Sequence, residues 1–384
     1  MVQPSPYTPG EVASSVPGRV LQLAEFEERL SYLVDLKRLV GRIHVDLAPR
    51  GFGKTSLLRQ YQRRATERDV LTIWVTAGEE LGLIGQIVAA IRTATAGWGA
   101  KNRARLVGLL DSLALSVGVP GFAKLDATFD RKPGVAQPVG VREFEQVIRT
   151  TAGQGDSAGL VLFIDEIQAA DAAGLRTLAY AWQHLQAEGT DVPAAVFAAG
   201  LPDAPEKISA VVTFAERIAF RPLERLSADA EEIAIGVPAQ LLGVSWQTDA
   251  LVSAVEVAGG YPYTLQLIAD ASWSAAGRPD SGGEITVDDV REGQQAMRGD
   301  LDALFRARWS NATPLERDLM TAMAEFGDAP VGRAELAQRL GVTIASFSVP
   351  RARLIDKGFI QASARGMLEF TIPGFASFVR ERQE

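Results

Sequence analysis

The chain has 384 residues, 47% of them hydrophobic and 22% charged, the composition of a globular protein of two or three domains and not of a disordered or fibrous one. Thirty-nine Lys and Arg against 47 Asp and Glu leave a formal charge of −8, so any contact with nucleic acid must come from a local patch and not from the chain as a whole. Cysteine is absent and only His44 and His184 occur, which excludes disulfides, thiolate zinc, iron–sulfur clusters and Cys nucleophiles, and argues against a His-rich metal site or a Ser-His-Asp triad.

The opening MVQPSPYTPG has no basic start and no apolar core, and no run approaches a membrane span, so a soluble, cytoplasmic chain is expected. Residues 1–18 are rich in Pro, Ser and Gly and read as an extended lead-in. Apolar positions at helical spacing follow from Val20 to Leu39 (Leu23, Phe26, Leu30, Leu33, Leu36). Residues Arg42–Ala48 alternate as a strand and run into the Gly-rich turn Pro49-Arg50-Gly51-Phe52-Gly53, with a helix predicted from Lys54. Further strands are predicted at Val70–Val75, Leu160–Ile164, Ala194–Ala198 and Arg217–Phe220, with helical patterns between them, the order of a mostly parallel sheet covered on both faces. The segment from Thr95 to Pro138 has weak periodicity and receives no assignment.

Beyond Pro222 the strands stop. Residues Ser227 to about Arg308 read as several helices, one opened by the capping pattern Thr286-Val287-Asp288-Asp289. Another helix starts at Thr313-Pro314-Leu315-Glu316, with Thr at the N-cap, Pro first in the helix and Glu third. A short helix Arg333–Leu340 ends at Gly341, a third spans about Thr343–Lys357, and Phe359 to Ile372 reads as a two-stranded hairpin.

Chemistry concentrates at Ala48-Pro49-Arg50-Gly51-Phe52-Gly53-Lys54-Thr55. A phosphate-binding loop has the form G-x-x-x-x-G-K-[ST] after a strand and ahead of a helix, and its backbone N–H groups and the helix N-terminus surround the phosphates. Gly51 and Gly53 leave room for that approach, Lys54 would place its ammonium between the β- and γ-phosphates, and Thr55 would offer a hydroxyl to Mg²⁺. Ala48 stands where the pattern has Gly. The plainer alternative is a Gly-rich turn before an ordinary helix. A second element is the apolar strand Leu162-Phe163-Ile164 ending in Asp165-Glu166: Asp165 would hold Mg²⁺ near Thr55, and Glu166 could polarise the attacking water. Here the alternative is a helix cap, with Asp165 accepting backbone bonds ahead of Ile167–Ala173.

Residues 50–58 and 162–168 resemble the Walker A and Walker B motifs of AAA+ ATPases, in the branch that holds origin-recognition-type initiators, archaeal-type ATPases and the STAND signalling NTPases. The stretch 195–202 is similar to the strand ending in the sensor-1 position, and Phe214-Ala215-Glu216-Arg217-Ile218 resembles the segment carrying an arginine finger. Gly259-Gly260-Tyr261-Pro262-Tyr263 looks like the turn of a helical lid whose Pro lies near the base. The resemblance covers roughly residues 20–310. It implies an α/β P-loop NTPase three-layer sandwich with a parallel sheet, then a helical lid and a C-terminal winged helix, divided as 1–18, 19–222, 223–309 and 310–384. It further implies ATP and Mg²⁺ as ligands, Pro49 to Ser56, Asp165 and Pro262 as nucleotide contacts, Lys54 and Glu166 as catalytic groups, and Arg217 reaching a neighbouring subunit of a homo-oligomer. As a plain residue, Arg217 is a surface charge. Two departures point to slow hydrolysis: Ala198, Ala199 and Gly200 offer no side-chain donor at sensor 1, and Tyr263 stands where many members have a lid arginine.

Three helices and a hairpin over the last 75 residues follow the order of a winged helix-turn-helix. Its third helix would carry Arg351, Arg353 and Lys357, and its wing Arg365, as contacts to double-stranded DNA. Residues 310–384 nevertheless hold nine basic and nine acidic side chains, and Pro350 would delay or interrupt the third helix. Three readings therefore stand: an ATPase whose nucleotide state positions a DNA-binding winged helix, a STAND-like switch acting through protein partners, and a regulator with a degenerate, nucleotide-free loop.

Overall fold

The computed structural model describes residues 3–78, 81–118, 140–153, 157–188, 191–362 and 366–382. By contact the chain forms two compact units, one of Val20–Leu47 with Leu57–Pro222, the other of Met1–Arg19, Ala48–Ser56 and Leu223–Glu384. No described helix is long and apolar enough to cross a membrane.

The first unit holds a five-stranded parallel sheet. In chain order its elements are α1 (Val20–Leu36), β1 (His44–Leu47), α2 (Lys54–Glu67, whose first turn belongs to the other unit), β2 (Leu71–Thr76), α3 (Gly82–Ala94), α4 (Ala100–Ser116) and α5 (Val141–Ala152). Then come β3 (Leu160–Asp165), α6 (Ala172–Glu188), β4 (Ala194–Gly200), α7 (Ala204–Ser209) and β5 (Ala219–Pro222). The strand order is β2-β3-β4-β1-β5. Every residue of β3 and β4 is buried, which is why these two segments carry no polar alternation: helices cover both faces of a parallel sheet. This is the parallel sheet, covered on both faces, expected from the strand and helix pattern.

Boundaries move where local backbone intervenes. Helix α1 stops at Leu36 and not Leu39 because Lys37 turns left-handed, φ 52°. β5 starts at Ala219, since Ala215–Arg217 is a 3₁₀ turn. Part of the unassigned segment 95–138 is helix α4, whose Leu106, Leu110 and Leu113 face the core; residues 119–139 lie outside the described residues. His44 is buried and stacked on Phe197 at 5.3 Å. Burial and the charges of Arg221, Arg29 and Arg42 push its pKa down to about 3, so it is neutral.

The second unit continues with α8 (Ala228–Leu241), β6 (Ser245–Trp246), α9 (Thr248–Ala258), α10 (Pro262–Ala275), β7 (Glu284–Ile285), α11 (Val287–Ala296) and α12 (Arg298–Ser310). Its last part is α13 (Pro314–Ala324), β8 (Val331–Gly332), α14 (Arg333–Leu340), α15 (Ser348–Asp356), β9 (Ile360–Gln361), β10 (Met367–Phe370) and α16 (Phe375–Glu381). The N-terminal lead-in is packed here too: Tyr7 is buried edge-on to Trp246 and Trp273 and donates its hydroxyl to the Ile235 carbonyl at 2.6 Å.

Both capping boxes read from sequence form, Thr286 with Asp289 and Thr313 with Glu316. Helix α15 begins at Ser348, five residues later than the periodicity suggests, and Pro350 sits in its first turn, where a missing N–H costs no helical bond. β10 pairs antiparallel with both β8 and β9, so the hairpin gains a third strand that two residues, Val331 and Gly332, could not announce.

Glu316 does more than cap. It is fully buried and its Oε2 accepts both the Thr313 N–H at 2.7 Å and the Lys357 ammonium at 2.6 Å. Removing one partner of such a pair strands a buried charge. Lys357→Met should lower stability by about 2–3 kcal/mol in chemical denaturation, at the low end of the range because Lys357 is partly exposed; a change under about 0.5 kcal/mol would show the pair to be ornamental.

Candidate functional site

The loop after β1 is shaped by two glycines. Gly51 (φ +85°) and Gly53 (φ +79°) both take left-handed backbone. At Gly51 space is also decisive, since a Cβ would come within 2.2 Å of the Tyr261 hydroxyl. Ala48 is not among the residues with positive φ, so alanine is tolerated where the phosphate-loop pattern has glycine. The turn delivers Lys54 as the first residue of α2, with its side chain buried and its ammonium folded back 2.9 Å from the Pro49 carbonyl.

Surrounding residues of the same unit brace this loop. Phe52 is buried edge-on against Tyr261, and its carbonyl accepts from Arg19 at 3.2 Å. Ser56, also buried, accepts the Ala13 N–H through Oγ at 3.0 Å, whereas Thr55 is half-buried. The Tyr261 hydroxyl donates to the Arg50 carbonyl at 2.7 Å and the Tyr263 N–H to the Gly51 carbonyl at 3.2 Å. Gly358 lies so near that a Cβ there would be 3.2 Å from that of Pro49. Left-handed glycines, a buried lysine at a helix N-terminus and carbonyls tied outward leave this loop fitted to receive an anion on its N–H side.

Two arginines that sequence reasoning passed over hold the neighbouring elements. Arg225 donates to the carbonyls of Gly259 (2.6 Å), Phe370 (2.8 Å) and Thr371 (3.1 Å). Arg308, buried, donates to the Gly358 carbonyl at 2.8 Å and the Thr371 hydroxyl at 3.1 Å; burial lowers its pKa while the Tyr261 phenol beside it pulls the other way. Pro262 is the first residue of α10, half-buried, after the left-handed pair Gly259 and Gly260. The Gly260 N–H is taken by buried Glu231 at 2.7 Å.

In the sheet unit, β3 delivers Asp165 to the carboxyl edge. Ile164, Ala198 and Val45 lie in one row across β3, β4 and β1, so Asp165 ends its strand at the level where β1 runs out into the loop. Asp165 is buried and its Oδ1 accepts the Glu166 N–H at 3.0 Å. Glu166 is half-buried and left-handed, φ 52° and ψ 39°, a conformation that costs a non-glycine residue about 1 kcal/mol or more. Its Oε2 accepts Nε2 of Gln168 at 2.5 Å. Arg59 lies over Trp74 at 3.4 Å, its pKa lowered by burial and partly restored by the Asp165 charge; five residues past Lys54, it follows no motif spacing that would have marked it.

The remaining predicted residues are dispersed. Arg217 is exposed at the end of a 3₁₀ turn, and its carbonyl accepts from Arg42. On α15 Arg351 is half-buried and Arg353 exposed, Lys357 just beyond is bound to Glu316, and Arg365 lies outside the described residues. No group of three or more His, Cys, Asp or Glu among the described residues could hold a metal by itself.

Residues 47–193 match the AAA ATPase domain family, and residues 302–379 match a domain of unknown function (DUF8462). Along its whole length the chain is similar in structure to the ORC2 protein of Aeropyrum pernix, solved as ADPNP–ADP complexes: TM-score 0.57, 14% identity, 98% of this chain and 96% of that one. It is likewise similar to a Walker-type ATPase of Pyrococcus abyssi, TM-score 0.55 at 12% identity, covering 96% and 99%. At such identities the likeness is one of fold. No curated protein matches the sequence. Residues 47–193 thus match the AAA ATPase domain family, and the fold is that of a P-loop NTPase.

Burial drives the Glu231 carboxyl up to about 7 from 4.5, against the pull of the Gly260 N–H and Arg225. A carboxyl raised in the folded state favours folding most below its unfolded value, and that contribution fades as pH climbs through the folded one. Stability should therefore fall between about pH 4.5 and about pH 7, by on the order of 2–3 kcal/mol. Glu231→Gln, which keeps an acceptor for Gly260, should flatten that slope; an unchanged profile would show that Glu231 titrates normally.

Proposed function

We propose that this protein binds Mg²⁺ and ATP at its P-loop, hydrolyses the nucleotide slowly in the cytoplasm, and uses the nucleotide state to control a winged helix at 310–384 that contacts double-stranded DNA. The observation that carries this reading is the bracing of the loop: Tyr261 holds the Arg50 carbonyl, and Gly358 abuts Pro49. A change of loop conformation thus has a packed route to the C-terminal module.

In this reading the loop N–H groups from Arg50 to Thr55 and the α2 N-terminus hold the phosphates, helped by Phe52, Ser56 and Pro262 around them. Lys54 exchanges its Pro49 carbonyl for phosphate oxygens. Thr55 supplies a hydroxyl and Asp165 a carboxylate to Mg²⁺, whose charge, when bound, offsets that building on the γ-phosphate. Glu166 takes the proton of the attacking water. Arg217, exposed on its turn, acts on the site of an adjoining copy in a homo-oligomer. Slow turnover follows from the end of β4, where Ala198, Ala199 and Gly200 provide no side-chain donor.

Mg·ATP at about a hundred times its dissociation constant should stabilise the wild type by about 2.7 kcal/mol in thermal melts. Lys54→Ala should abolish the shift. Glu166→Gln should keep the shift yet lose phosphate release by about a hundredfold or more. An equal shift for Lys54→Ala would remove the nucleotide from this loop.

A second reading, a STAND-like switch acting on a protein partner, has its own support. The Lys357 ammonium is bound to Glu316 and the Asn311 carbonyl, and Val342, Ile344 and Val349 are exposed around α15. DNA affinity measured against salt separates the two: with Arg351 and Arg353 on phosphates, log K should fall with log salt at a slope of about −2, reduced by about one in Arg353→Ala. A flat or absent response favours the protein partner.

A further inference from the structure

Between Glu166 and the end of β4 lies a buried amide side chain, Gln168. Its Nε2 donates to Glu166 Oε2 at 2.5 Å, and its Oε1 accepts the Leu201 N–H at 2.9 Å. The amide can face only one way, because a carboxylate oxygen only accepts and a backbone N–H only donates. Leu201 follows directly on β4, and Gly200 leaves the space: a Cβ there would stand 3.2 Å from Gln168 Oε1 and 3.1 Å from Ile167 Cγ2. Glu166 in turn is held left-handed at the head of a 3₁₀ turn of three residues, Ile167–Ala169, which places Gln168 two positions on and facing back.

We propose that Gln168 is the positioning residue for the Glu166 carboxylate, bridging it to the Leu201 N–H so that one oxygen is fixed by the amide and the other is left for water. This rests on the reading of Glu166 as the base. The end of β4 offers no side-chain donor, so it is the Leu201 N–H, relayed through Gln168, that ties this strand to Glu166. A carboxylate on a flexible side chain samples several rotamers, and a fixed hydrogen bond confines it to one. Gln168 touches no reacting atom; it acts through Glu166.

Two variants separate the ends of the bridge. Gln168→Met keeps the length of the side chain and loses both bonds. Gln168→Glu keeps an acceptor for Leu201 and sets a second carboxylate against Glu166. Single-turnover phosphate release from Mg·ATP should fall about tenfold in kcat in both, with KM within about twofold. Amide hydrogen exchange of the peptide around Leu201, in protein without nucleotide, should quicken in Gln168→Met and stay near wild type in Gln168→Glu. In a Glu166→Gln background Gln168→Met should cost nothing further, whereas a merely structural role would add its loss. Wild-type kcat in folded Gln168→Glu, with Glu166→Gln inactive, overturns the bridge and leaves the base in place. An effect confined to KM, or slow exchange at Leu201 in Gln168→Met, overturns it as well. Normal hydrolysis by Glu166→Gln overturns the base, and the positioning role with it.

Discussion

The backbone turn at Gly51 and Gly53 is the constraint on which the rest depends. Only left-handed residues without a Cβ let the chain leave β1, reverse and enter α2 with Lys54 at the helix N-terminus. Around that turn three carbonyls are occupied: the Tyr261 hydroxyl donates to Arg50, the Tyr263 N–H to Gly51, and the Lys54 ammonium to Pro49. The loop is therefore preorganised by bonds to its back, not by its own stiffness.

This explains why nine residues, Ala48–Ser56, group by contact with the helices and the C-terminal module and not with the sheet whose strand feeds them. Their partners are α10, the Gly358 turn, Ala13 of the lead-in and Arg19 just after it. Tyr261, bonded to Arg50 and adjacent to Arg308, stands between loop and C-terminal module. The left-handed pair Gly259-Gly260 beside it is held by Arg225 and Glu231, and the same Arg225 reaches the Phe370 and Thr371 carbonyls.

What the sequence made legible was local. The strand, Gly-rich loop and helix around Gly51 to Lys54, the apolar run into Asp165-Glu166 and the two capping boxes are each written within a few residues, where periodicity and cap chemistry act. The parallel sheet was legible for the same reason, since strands buried on both faces lack alternation. What escaped was long-range. The bond from Tyr261 to Arg50 joins residues 211 apart, and that from Arg225 to Phe370 joins residues 145 apart. Nothing in the local pattern distinguishes such an arginine from a surface charge. Gln168 escaped for another reason: it sits two residues from Glu166, yet its meaning depends on Leu201 arriving from a different strand.

The same contrast bears on how the C-terminal module meets a partner. In an acidic chain the basic residues that count are those not already serving the fold, and several here turn inward. Arg19, Arg225 and Arg308 satisfy backbone carbonyls, Arg221 pairs with Asp46 at 3.2 Å, and Lys357 neutralises Glu316. A guanidinium that satisfies two or three carbonyls stabilises a junction that apolar packing alone would leave with unpaired polar groups. On α15 this leaves Arg353 exposed and Arg351 half-buried to face outward. Two such charges are enough to orient a module on phosphates but not to drive its binding, so affinity for DNA would have to be borrowed from oligomerisation or from the nucleotide-bound state of the loop. In the proposed reading, either source would place control of that contact back at Gly51 and Gly53, where the phosphates would seat.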